Sequence, residues 1–267
     1  MTSSEQRPRD LRMLCLHGYH GTGAILRRQM APLAAAIPPN VELVYVDAPS
    51  VSAGDFGWWH EGFSGWERSR DWAIELLQTG PRIDGIFGFS QGAALTGLLA
   101  ALRESPASPV EFEFAIMVGG FTSYAPQHAG LFGHKLTVPS VHVTGRADVI
   151  VPRRDSLLLA GRFADPLVIE HPGGHVIPGS APVTAPVADF LAGLSGPGSP
   201  RRSSTSRGAD AASGAARERR PGRRREPSPA AAQVAGYLRL PAAMRTVTMA
   251  GWVPLRPISR SAPTGRR

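Results

Sequence analysis

Two periodicities alternate along the chain between Leu11 and Leu194. Short apolar runs at Leu11–Leu16, Val41–Val46, Ile83–Phe89, Phe112–Val118, Val138–Val143 and Leu167–Glu170 have the length of strands. Several are apolar at every position, as strands covered on both faces of a parallel sheet must be. Segments with helical spacing lie between them. Ala24–Ala36 places Leu26, Met30 and Leu33, with Ile37 beyond, three or four residues apart. Gly65–Gln78 follows Ser64, which predicts an N-cap, and Glu67 stands three residues on. Gln91–Arg103, Arg153–Phe163 and Pro182–Leu194 complete the helical set, with Pro182 and Pro186 better suited to a helix start than to its middle. This alternation, with mostly short connections, predicts an α/β fold with a mainly parallel central sheet of about six strands flanked by helices. In such sheets chemistry gathers just beyond the carboxyl ends of the strands.

The pattern stops near Leu194. From Ser195 to Ala230 there is no Val, Ile, Leu, Met, Phe, Trp or Tyr, so the segment cannot bury enough apolar surface to offset its ordering entropy. The expected organisation is a flexible stretch 1–10, a domain at 11–194, and a largely disordered Arg/Pro/Ser/Gly/Ala-rich tail at 195–267. Charge divides at the same place. The net charge of +8 over 267 residues resolves into −4 for residues 1–194 and +12 for 195–267. The body is therefore mildly acidic, and nucleic-acid binding by it gains no support. Arg219–Arg220 and Arg223–Arg225 would suit an electrostatic arm, but 28 Arg against one Lys favours a compositional bias and a solvated tail. Cys15 stands alone, which excludes an internal disulfide or a Cys-rich zinc module. The opening MTSSEQRPRD has no apolar signal region, and the longest apolar-and-small stretch, around Gly92–Leu102, is too short to span a bilayer. A reducing cytoplasmic setting is expected.

The reactive residue types fall where the pattern puts strand ends. Gly88-Phe89-Ser90-Gln91-Gly92 sits between an apolar strand and a small-residue helix, as Gly-x-Ser-x-Gly does in a nucleophile elbow. Serine there takes a strained backbone in a turn too tight for bulky neighbours, hence the flanking glycines. A serine hydroxyl needs a base oriented by an acid. Asp148 follows the Val138–Val143 run and His175 follows the Leu167–Glu170 run, in the order Ser, Asp, His. Asp155 is the rival acid, inside a predicted helix, and His171 the rival base, without the Gly173-Gly174 pair that lets a loop carry His175 back. The backbone N–H groups of Gln91 and Tyr19 are the expected oxyanion donors. His17 and His20 are too few for a metal site and His17 reads as a loop-fixing residue; Cys15 reads as core. Neither metal nor cofactor is called for.

Leu16-His17-Gly18, Trp58-Trp59, Gly88–Ala93, Gly119-Gly120-Phe121, Gly145–Asp148 and His171–Pro178, taken in order, resemble the family serine hydrolases of the α/β-hydrolase superfamily, over about residues 10–194. The resemblance implies an α/β-hydrolase fold without a large lid. It also implies Ser-His-Asp cleavage of esters or thioesters through an acyl-enzyme, on small substrates bearing acyl or polyketide-like groups. Trp58, Trp59 and Phe121 then read either as an apolar wall for the acyl group or, for the tryptophans, as core residues capped by a long loop. Two alternatives stay open: a carboxylesterase or acyl-protein thioesterase type of enzyme, and a non-catalytic ligand-binding domain with a basic nucleic-acid-binding tail.

Overall fold

The computed structural model describes residues 8–49, 57–105 and 107–196. Six strands form one sheet: β1 (Leu11–Leu16), β2 (Val41–Val46), β3 (Gly85–Phe89), β4 (Phe114–Val118), β5 (Ser140–Gly145) and β6 (Pro166–His171). Their order is β2-β1-β3-β4-β5-β6, and every neighbouring pair is parallel. The helices are α1 (Gly23–Gln29), α2 (Ala31–Ala34), α3 (Trp66–Thr79), α4 (Gln91–Arg103), α5 (Arg153–Ala160) and α6 (Ala181–Ser195).

Alternation along the strands divides the core into two layers. Leu14, Leu16, Ile86, Ala115 and Met117 face the layer that holds Trp58, Trp66, Leu98 and Leu159. Met13, Cys15, Phe87, Phe89, Ile116 and Val143 face the layer under Leu26, Met30, Val187 and Leu191. This is an α/β sandwich, and burying each large side chain stabilises it by roughly 1.5–3 kcal/mol. Helix α4 is buried all along Gln91–Ala101, so it lies inside the sandwich rather than on it. Gly97 makes that possible: a Cβ there would come within 2.9 Å of Leu159. Burial also pushes the Cys15 thiol far above its usual range, which fits the core reading.

Three local expectations need correction. The single helix expected over Ala24–Ala36 breaks at Met30 into α1 and α2. Pro32 is the reason, because it has no N–H to offer the Arg28 carbonyl; the Met30 N–H closes α1 on the Leu26 carbonyl at 2.8 Å. Ser64 does not cap α3. The N-cap is Gly65 at φ 89°, a left-handed conformation that favours glycine, and the Ser64 carbonyl accepts from His60 N instead. Pro186 lies inside α6 rather than at its start. Arg9 belongs to the stretch expected to be flexible, yet its guanidinium grips Glu113 and its N–H bonds the Ser195 carbonyl at the end of α6. The tail expected at 195–267 lies, beyond Gly196, outside the described residues.

His142 on β5 generates a stability prediction. Burial lowers its pKa to about 3, so it is neutral when folded and basic when unfolded. Its contribution is complete above about pH 6.5 and is lost progressively as pH falls toward the folded value, with a limiting slope of ~1.4 kcal/mol per pH unit. Urea unfolding at pH 7.5, 6 and 5 should show His142→Phe losing less stability on acidification than the parent. Equal losses in both proteins would remove His142 from the acid response.

Candidate active site

The strand order changes direction between β1 and β3, and at such a switch point the carboxyl ends open a crevice. Ser90 stands at that point, between β3 and α4, with φ 56° and ψ −117°. That positive φ in a non-glycine residue is local strain of order 1–3 kcal/mol, held by the surrounding packing. The packing is visible at both glycines. A Cβ on Gly88 would lie 2.3 Å from the Gly92 carbonyl oxygen, and one on Gly92 would lie 2.3 Å from the Leu16 carbonyl oxygen. Side chains at either position would force α4 away from the ends of β3 and β1. The Ser90 N–H bonds the Val118 carbonyl at 2.9 Å, which ties the elbow to β4.

Asp148 and His175 meet beyond β5 and β6. His175 Nδ1 lies 2.7 Å from Asp148 Oδ2, while Asp148 Oδ1 accepts the N–H groups of Ile150 and Val151 at 2.9 Å each. The carboxylate is thus fully hydrogen-bonded, and it fixes the imidazole with its proton on Nδ1. Glycines let the two loops touch: a Cβ on Gly145 would sit 2.5 Å from the Gly173 carbonyl oxygen and 2.6 Å from that of Gly174. The ring of His175 packs on Phe89, the residue before the serine, with centroids 4.9 Å apart. Gly119, at φ 58°, lies beneath it, where a Cβ would come 3.0 Å from His175 Cε1. His175 Nε2 is buried without a hydrogen-bond partner, and Ser90 Oγ has none among the described residues. The rivals are placed elsewhere: Asp155 pairs with Arg154 on α5, and His171 Nδ1 accepts the Gly173 N–H. Burial lowers the His171 pKa, against a smaller opposing effect of Asp148.

The loop after β1 closes the other side. A Cβ on Gly18 would lie 3.2 Å from Ser90 Cβ, so the backbone of this loop runs directly against the serine. Gln91 is the first residue of α4, where an N–H has no partner within the helix. Neither its N–H nor that of Tyr19 is hydrogen-bonded among the described residues. Sequence reasoning missed what the Gln91 side chain does. Its Oε1 accepts from Trp58 N at 2.8 Å and its Nε2 donates to the Trp59 carbonyl at 2.7 Å. A glutamine directly after the serine was the available signal.

The tryptophans fit the core alternative rather than an open wall. Trp58 is fully buried and Trp59 is 5% exposed; Phe121 is half-buried against the same layer. His17 is engaged at both ring nitrogens, so it has no lone pair for a metal. No cluster of three metal-ligating side chains occurs among the described residues. No described helix is long and apolar enough to cross a membrane. Two surface depressions lie at the opposite, amino end of the sheet, beside Arg9, Arg12 and Asp84 and beside Ser140 and Pro166, away from Ser90 and His175.

A six-stranded parallel sheet with a serine elbow at its switch point defines the class: an α/β hydrolase. Comparison with known proteins gives the family. The family described as "Serine hydrolase (FSH1)" matches residues 5–187, and this chain belongs to it. It is 34% identical to "Esterase OVCA2" of Danio rerio, over 68% of this chain and 96% of that protein. It is 33% identical to "Esterase OVCA2" of Xenopus tropicalis, over 71% and 96%. Among solved structures, Zea mays acyl-protein thioesterase 2 superposes with a TM-score of 0.52 at 21% identity, over 72% of this chain and 96% of that one, a likeness of fold.

Gly119 provides a test of the geometry. Gly119→Ala should destabilise the domain by about 1–2 kcal/mol through its positive φ. It should also displace the His175 ring and lower kcat at least tenfold, because reacting groups tolerate little misplacement. Thermal unfolding and steady-state kinetics would read both; an unchanged kcat would mean that the ring does not depend on this floor.

Proposed function

We propose that this serine hydrolase cleaves carboxylic esters or thioesters through a Ser90–His175–Asp148 triad and an acyl-enzyme intermediate. The observation that carries the reading is the hydrogen-bond state of His175. Asp148 holds the Nδ1 proton, the ring packs on Phe89 next to Ser90, and the opposite nitrogen has no hydrogen-bond partner. In the first half-reaction Nε2 takes the Ser90 proton as Oγ attacks the carbonyl carbon, and Asp148 stabilises the imidazolium that forms. The N–H groups of Gln91 and Tyr19 receive the oxyanion, each donor being worth about 3 kcal/mol. His175 then returns its proton to the departing alcohol or thiol. Water repeats the sequence against the acyl-enzyme, releasing the acid and regenerating Ser90. No step calls for a metal or cofactor.

The substrate class follows from the rim. Val149 and Ile150, directly after Asp148, are 89% and 69% exposed, and Val176, directly after His175, is 52% exposed. Tyr124, in the loop beyond β4, is exposed as well. Exposed apolar side chains adjoining an acid and a base favour an apolar acyl or leaving group over a charged one. The relatives named as esterases support ester cleavage and do not bear on the acyl group. A reducing, cytoplasmic setting suits the unpaired buried Cys15.

Ser90→Ala should abolish both labelling by a fluorophosphonate probe and turnover of a short-chain p-nitrophenyl ester. Asp148→Asn should lower kcat by a factor of ~10³–10⁴ with the fold retained, because the wrong tautomer then faces Ser90. Unchanged turnover by Ser90→Ala would reject the triad. An ester and thioester panel of increasing acyl length should show kcat/KM rising with chain length; a preference for acetyl esters would count against the apolar rim.

A further inference from the structure

We propose that His17 and Trp58 are positioning residues of the oxyanion site, each pinning one of two consecutive peptide units so that the Tyr19 N–H is held beside Ser90. The inference rests on Ser90 being the nucleophile. The first unit joins His17 to Gly18, and its carbonyl accepts the indole Nε1–H of Trp58 at 2.7 Å. The second joins Gly18 to Tyr19, and its carbonyl lies 2.8 Å from His17 Nδ1 and accepts the Gly21 N–H at 3.0 Å. A trans peptide directs its N–H opposite its carbonyl, so fixing the Gly18 oxygen fixes the direction of the Tyr19 N–H. Gly18 lies between the two pinned planes with no room for a side chain, being the residue whose Cβ would press on Ser90.

The imidazole can do this in one protonation state only. The Ala48 N–H donates to His17 Nε2 at 3.0 Å, so that nitrogen must be an acceptor and Nδ1 must carry the proton. Burial, the largest influence on His17, lowers its pKa and keeps the ring neutral; the Gly18 carbonyl and Asp47 oppose this more weakly. Trp58 is itself anchored, its N–H on Gln91 Oε1 and its carbonyl on Ser69 Oγ. Gln91 supplies the other oxyanion donor from its own backbone. Two donors from distant parts of the chain therefore belong to one hydrogen-bonded assembly that runs Tyr19, Gly18, His17, Trp58, Gln91. Packing alone would not select an indole at position 58, since phenylalanine fills an apolar site without an N–H to satisfy.

The test compares Trp58→Phe, His17→Leu and His17→Asn with the parent, using a short-chain p-nitrophenyl ester and phenylboronic acid as a tetrahedral-adduct probe. Trp58→Phe and His17→Leu should lower kcat ten- to a hundredfold with KM within about threefold, and weaken boronic acid binding by a similar factor. His17→Asn places an amide N–H near the former Nδ1 and should recover most of the His17→Leu loss. Folded variants with parental kcat and parental boronic acid affinity would overturn the proposal, as would a raised KM at unchanged kcat. Should Trp58→Phe fail to fold, the two His17 variants decide the matter alone. Fluorophosphonate labelling of the parent separates the two levels. An unlabelled parent removes the Ser90 reading and this inference with it, whereas a labelled parent with unaffected variants removes only the oxyanion assignment.

Discussion

The contact between the start of α4 and the ends of β1 and β3 sets the geometry of the whole site. The helix begins so close to the strands that its first turn admits no side chain at Gly92, and the preceding strand admits none at Gly88. Ser90 is forced through a positive φ by this crowding, and the strain is tolerable because every neighbouring element resists its release. The same crowding brings the helix N-terminus to the serine, where partial positive charge favours a developing anion. It also brings the β1 loop against Ser90, because the carbonyls of Leu16 and His17 are what Gly92 packs on. Ser90, the helix terminus and the β1 loop are therefore brought together by one close approach.

The two ends of the sheet divide the work. At the amino end, Arg9 and Arg82 converge on Glu113, and Asp84 accepts from Arg82 and from the Arg12 backbone. Such half-exposed pairs contribute little each, about 0–1 kcal/mol, but here they join the start of β1 to β3 and the approach to β4. Asn40 and Arg9 both reach Ser195 at the end of α6, which closes the domain. Charge is compensated at this end. At the carboxyl end, glycine-rich loops exclude bulk, and His175 Nε2 is left buried without a partner.

Legibility in the sequence followed the strength of the physical signal. β1, β2 and α4 coincide with their expected bounds because apolar runs and small-residue helices leave no competing conformation. Asp148 and His175 were recognisable because each follows a strand at the end where such sheets place their chemistry, and the structure joins them at 2.7 Å. What sequence did not give was set by single backbone donors. Pro32 split a helix whose apolar spacing is unbroken, and Gly65 displaced a serine with good capping chemistry because the chain enters α3 through a left-handed turn. The tryptophans were ambiguous for a different reason. Their apolar surface suits a pocket wall or a core equally, and only the hydrogen bond from the Trp58 indole to His17 and the Gln91 clamp fix them inside.

The same accounting of donors and acceptors separates His175 from the other buried imidazoles. His17 spends one nitrogen on the Ala48 N–H and the other on the Gly18 carbonyl, so it has nothing left to accept a proton from substrate or serine. His171 has Nδ1 occupied by the Gly173 N–H and no carboxylate bonded to it. His128 shares Nδ1 with Ser123, and its ring meets Phe63 and Trp66 edge to face, in an apolar setting that lowers its pKa. Proximity to a strand end therefore does not distinguish these residues. His175 alone among them combines a carboxylate on Nδ1, which fixes the tautomer, with an opposite nitrogen that no group in the described protein occupies. That combination is expensive to maintain in a buried position, since an unsatisfied polar atom there costs about 1–3 kcal/mol. His128 Nε2 is likewise buried without a partner, so the open nitrogen alone does not mark His175; the carboxylate on the other nitrogen and the packing of the ring on Phe89, next to Ser90, do.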